Sequence, residues 1–320
     1  MSEKGDLQPA MTFPPLGAAA SAAVERDPAD LAASGNYPAQ PFEHLDALWI
    51  QVAGTLCNLA CTHCFVSCGP GDLRHALMTR DAVRERVAEG LALGVKEFYF
   101  TGGEPFMHRE FLEILADTLP HGPCTVLTNG TLFTTARLAI LARLTGDSRY
   151  ALEIRVSLDG PDAATHDGFR GAGSFERALE GLRRLEGAGL LPIVTATQNT
   201  NEEALVVRER YMAMLCHAGL ARPRLKLLPM FRLGRETSRT RGYESIESLR
   251  DLPAGSFDPA RLQCRSCRAV TATGVHVCPL LVDEPGGRLG ERLDDSLAAF
   301  PLRHGACFTC YVTGMTCANG

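Results

Sequence analysis

The sequence predicts an α/β fold: a partial (β/α)6 barrel of the TIM type, followed by a small cysteine-rich domain. From about residue 45 to 230, apolar runs of strand length alternate with amphipathic runs of helix length. Such alternation indicates parallel strands joined by right-handed helical crossovers. Beyond residue 230 the alternation stops, and six of the 12 cysteines follow.

The chain therefore divides into three predicted segments. Residues 1–42 are rich in Ala, Gly and Pro and lack sustained periodicity, which favours a disordered N-terminal arm. Residues 43–230 form the predicted barrel. Residues 231–320 have too little apolar content to fold by burial alone, so we expect metal to hold this second domain together.

Six strands and five helices are predicted within the barrel. The strands cover 47–52, 97–101, 125–128, 153–158, 193–197 and 225–228, and the helices cover 80–93, 110–119, 135–144, 174–188 and 201–217. A further helix is expected at 293–300. Polar motifs follow several strands directly, and barrels of parallel strands carry their chemistry at those carboxyl ends.

Composition excludes several classes of partner. The net charge of −5 and pI near 6.0 lack the basic excess that nucleic-acid binding requires. No apolar stretch is long enough to span a bilayer, and the acidic N-terminus does not resemble a signal peptide. We therefore expect a cytoplasmic protein without a membrane partner. Because the cytosol keeps thiols reduced, its cysteines indicate metal ligands or a redox site.

The first cysteine cluster follows the first predicted strand. Cys57, Cys61 and Cys64 are separated by three and then two residues. Thiolates are the soft ligands that iron–sulfur clusters need, and three ligands leave one iron open. The alternative is a structural zinc site, in which His63 or Cys68 supplies the fourth ligand.

A second motif, Gly102-Gly103-Glu104-Pro105, ends the second predicted strand. Together with the Cys-x3-Cys-x2-Cys loop it resembles the radical S-adenosylmethionine (SAM) superfamily. The resemblance implies a [4Fe–4S] cluster on the three cysteines. It also implies that the glycine-rich turn contacts the methionine amino group of SAM. Glycine permits close backbone approach, and Glu104 offers a carboxylate for the ammonium.

The same resemblance implies roles for further residues. Ser157 and Arg170 are implied to hold the ribose and the carboxylate of SAM, because a guanidinium fork suits a carboxylate. A surface ion pair is the alternative role for Arg170. Asn129 follows the third strand and Gln198 ends the fifth, so both are expected at the cofactor site. Turn chemistry alone would also explain Asn129-Gly130.

The late cysteines resemble a C-terminal SPASM or twitch extension, which implies one or two auxiliary [4Fe–4S] clusters. The candidate ligands are Cys264, Cys267, Cys278, Cys307, Cys310 and Cys317, with the first three as core ligands. A complete two-cluster pattern needs further cysteines beyond Gly320. Three alternatives stay open: one cluster on four of the six thiols, two clusters with three ligands each, or a zinc knot.

The resemblance implies an enzyme that cleaves SAM reductively to a 5′-deoxyadenosyl radical and abstracts hydrogen from a substrate. A flavodoxin, ferredoxin or reductase would donate the electron. Oxidative modification of a peptide or protein side chain is the leading hypothesis. The alternative is radical dehydrogenation, epimerisation or rearrangement of a small natural-product or sugar intermediate. A third hypothesis is a non-catalytic iron–sulfur or zinc protein.

No side chain is assigned as a catalytic acid or base. For a redox-neutral outcome, a thiol would have to return a hydrogen atom to the substrate. Cys68 and Cys310 are the candidates from the sequence. Cys68 lies outside the family pattern, and we expect it to be a partly buried thiol without a metal.

Overall fold

One nine-stranded sheet organises the protein in the computed structural model, which describes residues 36–253, 255–314 and 317. The strands are β1 Ala39–Gln40, β2 Ala47–Ile50, β3 Glu97–Phe100, β4 Cys124–Thr128, β5 Leu152–Ser157, β6 Ile193–Gln198, β7 Arg224–Pro229, β8 Cys267–Thr271, β9 Gly274–His276, β10 Arg288–Gly290 and β11 Phe300–Pro301. The sheet order is β10-β9-β8-β2-β3-β4-β5-β6-β7. Pairing is parallel from β8 to β7 and antiparallel at β9 and β10.

Helices connect the parallel strands. They are α1 Arg80–Ala92, α2 Phe111–Thr118, α3 Thr135–Asp147, α4 Ala163–Arg170, α5 Ser174–Gly187, α6 Ala204–His217, α7 Glu236–Arg239 and α8 Gly305–Thr313. Thr79, Thr134 and Asp162 precede α1, α3 and α4, and each side chain accepts a hydrogen bond from a backbone N–H of the first turn. The six predicted strands correspond to β2–β7, so the partial barrel is confirmed.

The main core lies between the sheet and the helices. Helix α5 shows the pattern: Phe175, Leu179, Leu182 and Leu185 recur at helical spacing and are all buried. Each such side chain contributes about 1.5–3 kcal/mol when fully buried. A second cluster fills the other face of the sheet, where the C-terminal segment packs.

The C-terminal segment joins the central sheet. Strand β8 pairs in parallel with β2, with Ala47 opposite Cys267, so the sheet continues across the predicted boundary at residue 230. The helix predicted at 293–300 is wrong. A 3-10 turn at Leu293–Ser296 stands there instead and is followed by β11. The Asp295 carboxylate closes the start of this turn by accepting hydrogen bonds from the backbone N–H groups of Glu291 and Arg292.

The predicted N-terminal arm is ordered at its carboxyl end. Strand β1 pairs with β11, and Gln40 is buried. Residues 1–35 of that arm lie outside the described residues. Among the residues that the structure describes, no helix combines the length and apolarity needed to cross a membrane.

Candidate functional site

A cavity of about 210 Å³ opens at the carboxyl ends of the parallel strands. Its walls come from the loop after β2, from the ends of β3 to β6, and from the segment after β7. Among the described residues, Cys57, Cys61, Cys64, Gly102, Gly103, Asn129, Ser157 and Arg170 all line it. These eight residues come from five segments that are far apart in sequence, and the barrel topology brings them together.

The first cysteines lie on a loop that the backbone holds closed. Leu56 bridges to Gly69, and the N–H of Cys57 donates to Gly69 O at 3.1 Å. The N–H of Cys64 donates to Cys61 O at 3.3 Å. All three thiols consequently face one cavity. No three metal-ligating side chains of the described part of the chain converge on a single ion. A donor set of three thiols around a shared cavity fits an iron–sulfur cluster.

Hydrogen bonds from the loop reach two of these sulfurs. The N–H of Leu59 donates to Cys57 Sγ at 3.4 Å, and the N–H of Cys68 donates to Cys64 Sγ at 3.3 Å. Burial raises the pKa of Cys57 to about 12. The Cys68 thiol lowers the pKa of Cys64 by hydrogen bonding to its sulfur. Cys68 thus contacts the Cys64 sulfur and also lines the cavity.

The glycine turn after β3 packs directly on the cysteine loop. Gly103 N–H donates to Gly54 O at 2.8 Å, and Glu104 N–H donates to Leu56 O at 2.9 Å. A Cβ at position 103 would lie 2.0 Å from Leu56 O, and Gly102 has a φ of +128°. Only glycine permits this backbone-to-backbone approach.

Glu104 does not line the cofactor cavity, where the sequence predicted it. Its carboxylate is fully buried and accepts from Thr128 Oγ1 at 2.7 Å, Asn129 N–H at 2.8 Å and Phe106 N–H at 3.2 Å. Burial raises its pKa. Glu104 is absent from the cavity wall among the described residues. The side chain joins the ends of β3 and β4 beneath the turn.

Arg170 lies in a buried network centred on Asp159. Arg170 Nε donates to Asp159 Oδ2 at 2.6 Å, and His63 Nε2 donates to the same oxygen at 2.8 Å. The N–H of Thr197 donates to Asp159 Oδ1 at 2.8 Å. Burial opposes the charge of Asp159, but the adjacent Arg170 guanidinium and His63 hold its pKa well below its usual range.

This network places a positive charge at the cysteines. Arg170 Nη1 is 4.0 Å from Cys61 Sγ. The pair is buried, so the surface ion pair considered for Arg170 is wrong. His63 bonds to Asp159 through Nε2, and its buried Nδ1 has no hydrogen-bond partner among the described residues. Sequence reasoning missed Asp159, although its position in Val-Ser-Leu-Asp-Gly after β5 was a signal.

Of the three remaining predicted site residues, Asn129 and Ser157 line the cavity and Gln198 does not. Asn129 Nδ2 donates to Asn58 Oδ1 at 2.8 Å and lies 3.9 Å from Cys57 Sγ. Ser157 lines the cavity, as expected. Gln198 is not part of the described wall: its Nε2 donates to Glu202 O at 2.8 Å, and Thr197 lines the cavity instead.

The six late cysteines lie in the second core cluster but do not share one cavity. A small space of about 30 Å³ is lined by Cys264, Cys278, Cys307 and Cys310 among leucine side chains. Burial raises the pKa of Cys264 to about 11 and of Cys307 to about 12. Of the described residues, Cys267 is absent from this wall, and Cys317 lines the larger cavity. Four thiols match the ligand number of one closed [4Fe–4S] site.

Comparison with known proteins agrees with this geometry. The profile of the Radical SAM superfamily matches residues 52–200. Residues 52–200 form a radical SAM domain. The match contains the cysteine loop, the glycine turn, Asp159 and Arg170. Solved structures share the fold of this chain. Streptococcus suis SuiB bound to S-adenosylmethionine gives a TM-score of 0.60 at 15% identity, covering 82% of this chain and 68% of that one.

Other similar proteins extend the comparison. Native anSMEcpe with bound AdoMet and Cp18Cys peptide gives a TM-score of 0.55 at 16% identity, covering 78% of this chain and 79% of that one. An AdoMet-dependent heme synthase of Nitratidesulfovibrio vulgaris is 34% identical over 42% of this chain and 35% of its own. The mycofactocin maturase MftC of Mycolicibacterium smegmatis is 32% identical over 50% of this chain and 41% of its own. The match thus spans less than half the length of the heme synthase and of MftC.

Proposed function

We propose that this protein is a radical SAM enzyme that modifies a peptide or protein side chain oxidatively. Cys57, Cys61 and Cys64 would hold its [4Fe–4S] cluster, and the glycine turn and Arg170 would bind SAM. The observation that carries the proposal is the convergence of these groups on one cavity. When bound, cluster and SAM together supply a carbon radical able to remove hydrogen from an unreactive C–H bond.

The protein's own residues orient the ligand and exclude water. The Arg170 guanidinium is fixed by Asp159, so its remaining donors are directed without further ordering. Trp49, Leu127 and Phe231 give the cavity an apolar wall. Such a wall keeps water away from a reactive intermediate.

The peptide class rests on relatives. MftC is named a maturase, and the anSMEcpe structure contains a peptide. The four thiols around the small cavity support an auxiliary cluster, which would accept an electron from the substrate radical and so complete a two-electron oxidation. A small-molecule substrate is the second candidate, because heme synthases reach 34–36% identity. A flavodoxin or ferredoxin is the proposed electron donor.

Anaerobic reconstitution followed by SAM and dithionite tests the proposal. We expect 5′-deoxyadenosine from the wild type and none when Arg170 is replaced by Met. A protein with intact clusters that forms no 5′-deoxyadenosine would favour a non-catalytic iron–sulfur protein. Labelled candidate substrates separate the two substrate classes. Deuterium that passes from a labelled peptide into 5′-deoxyadenosine would support the peptide class. Deuterium that passes from a labelled small molecule instead would support the second candidate.

A further inference from the structure

We propose that Arg155 forms an anion subsite on the cavity floor and binds a carboxylate of the substrate. The inference rests on the proposed function, because the ligand is the substrate of that same cavity. Arg155 lies on β5 two residues before Ser157. Alternate strand residues face the same side, so the Arg155 backbone lies about 7 Å deeper in the barrel than that of Ser157.

The guanidinium is buried and only partly satisfied. Its side chain is 2% exposed and lines the cavity. Nη1 donates to Cys317 O at 2.6 Å, and Nε lies 3.5 Å from Glu153 Oε1. The group also lies over the ring of Tyr99, at 5.6 Å from the centroid.

Two nitrogens of Arg155, Nε and Nη2, lack a hydrogen bond in the described part of the chain, and Nε has only the ion pair with Glu153. Within the part of the chain that the structure describes, Nη2 is buried and has no hydrogen-bond partner. A buried donor on a charged group is costly to leave unsatisfied. The site is therefore suited to an acceptor that arrives with a ligand.

The charges around Arg155 favour an anion over a neutral acceptor. Glu153 is shared, because Arg224 Nη2 also donates to it at 2.8 Å. Lys226 and Glu97 lie within electrostatic reach of Arg155. Glu153 is thus divided between two guanidinium groups and does not neutralise Arg155 alone.

The neighbours of Arg155 define the rest of the ligand. Trp49 and Leu127 line the same cavity and are apolar. A planar guanidinium recognises a carboxylate by directed hydrogen bonds. We infer a ligand with a carboxylate on an apolar body, whose far end extends towards Ser157 and the cysteine loop.

Trp49 allows a direct test. It is the single tryptophan of the chain and lies in the cavity wall, so its fluorescence reports binding near Arg155. The probes are phenylacetate and phenylacetamide, titrated into reconstituted protein with SAM. We expect wild type to bind phenylacetate at least about tenfold more tightly than the amide, as a hydrogen bond to a charged group predicts.

Substitutions of Arg155 test whether its guanidinium causes the preference for phenylacetate. Arg155→Gln should abolish the preference for phenylacetate, and Arg155→Lys should keep part of it because the charge remains. Arg143→Gln is the matched control, since Arg143 is exposed on α3. Its preference should equal that of wild type.

Equal affinity of wild type for the two probes, or no binding of either, would overturn the proposal. So would an unchanged preference in Arg155→Gln. If that variant fails to fold, the wild-type comparison and Arg155→Lys still decide. Formation of 5′-deoxyadenosine is measured on the same samples. Its absence from wild type would contradict the proposed function, whereas loss of probe selectivity alone would contradict only the subsite.

Discussion

The two cysteine regions of this protein are built in different ways. The three early thiols lie on one loop, which backbone bonds close and a buried network around Asp159 supports. Four of the late thiols come from three separate segments, with Cys307 and Cys310 both on α8, and meet in a small apolar space. In the first region, backbone N–H groups donate to two of the sulfurs, whereas leucine side chains line the space around the four late thiols. The early site is therefore supported by a polar network of the protein, whereas the surroundings of the late thiols are mainly apolar.

Breaking the Asp159 network in the first region should cause the largest loss of folding stability. Asp159→Asn leaves the buried Arg170 guanidinium without its counter-charge, which costs about 3–5 kcal/mol in free energy of unfolding. Chemical denaturation measures this loss. Asp147→Asn, at an exposed position on α3, is the control. Equal stability of the two variants would show that the network does not support the early site.

Acid should weaken the same network through His166. Burial lowers the pKa of His166 to about 4, and its Nδ1 accepts from Asp159 N–H at 3.1 Å. Because the folded pKa lies below the unfolded value, stability is complete above about pH 6.5. It then falls towards pH 4 by up to about 1.4 kcal/mol per pH unit.

His166→Gln should flatten this dependence, measured as the denaturation midpoint between pH 7 and 4. His121→Gln, at an exposed position, should keep the wild-type profile. A His166→Gln profile as steep as that of wild type would contradict the assignment.

The contact between the glycine turn and the cysteine loop gives a smaller effect. A Cβ added at Gly103 would meet backbone atoms of Leu56 and Cys57, so Gly103→Ala should destabilise the fold by about 1–3 kcal/mol and reduce SAM cleavage. Gly146→Ala has open space around it and should be neutral or slightly stabilising. Thermal unfolding and 5′-deoxyadenosine yield test both. Normal SAM cleavage in Gly103→Ala would show that the contact is dispensable.

The smallest effect on SAM cleavage should follow from breaking the second region. Cys307→Ser with Cys310→Ser removes two thiols of the small cavity. We expect iron content to fall while 5′-deoxyadenosine formation without substrate persists. Loss of SAM cleavage together with the iron would show that the two regions are not independent.

The sequence predicts the barrel well because its signals are local. Each of the six strands is an apolar run bounded by a turn, and the cysteine and glycine motifs stand directly after β2 and β3. The placement of these motifs on one cavity then follows from parallel topology.

Contacts between distant segments could not be predicted in this way. His63 and Asp159 are 96 positions apart, and neither residue type alone indicates the pairing. Strand β8 is buried on both faces by tertiary packing, so it lacks the alternation that marks a strand. The Gly-Gly-Glu-Pro resemblance predicts that Glu104 contacts SAM, whereas its carboxylate oxygens accept from Thr128 and Asn129, which lie 24 and 25 positions away.

Replacing the three early thiols tests the central claim most directly. Cys57→Ala, Cys61→Ala and Cys64→Ala are combined in one variant, and Cys216→Ala, at an exposed cysteine, is the control. Iron content and 5′-deoxyadenosine are measured after anaerobic reconstitution. The account predicts that the triple variant loses iron and all SAM cleavage while the control keeps both. Turnover that survives in the triple variant, or zinc in place of iron in the wild type, would contradict it.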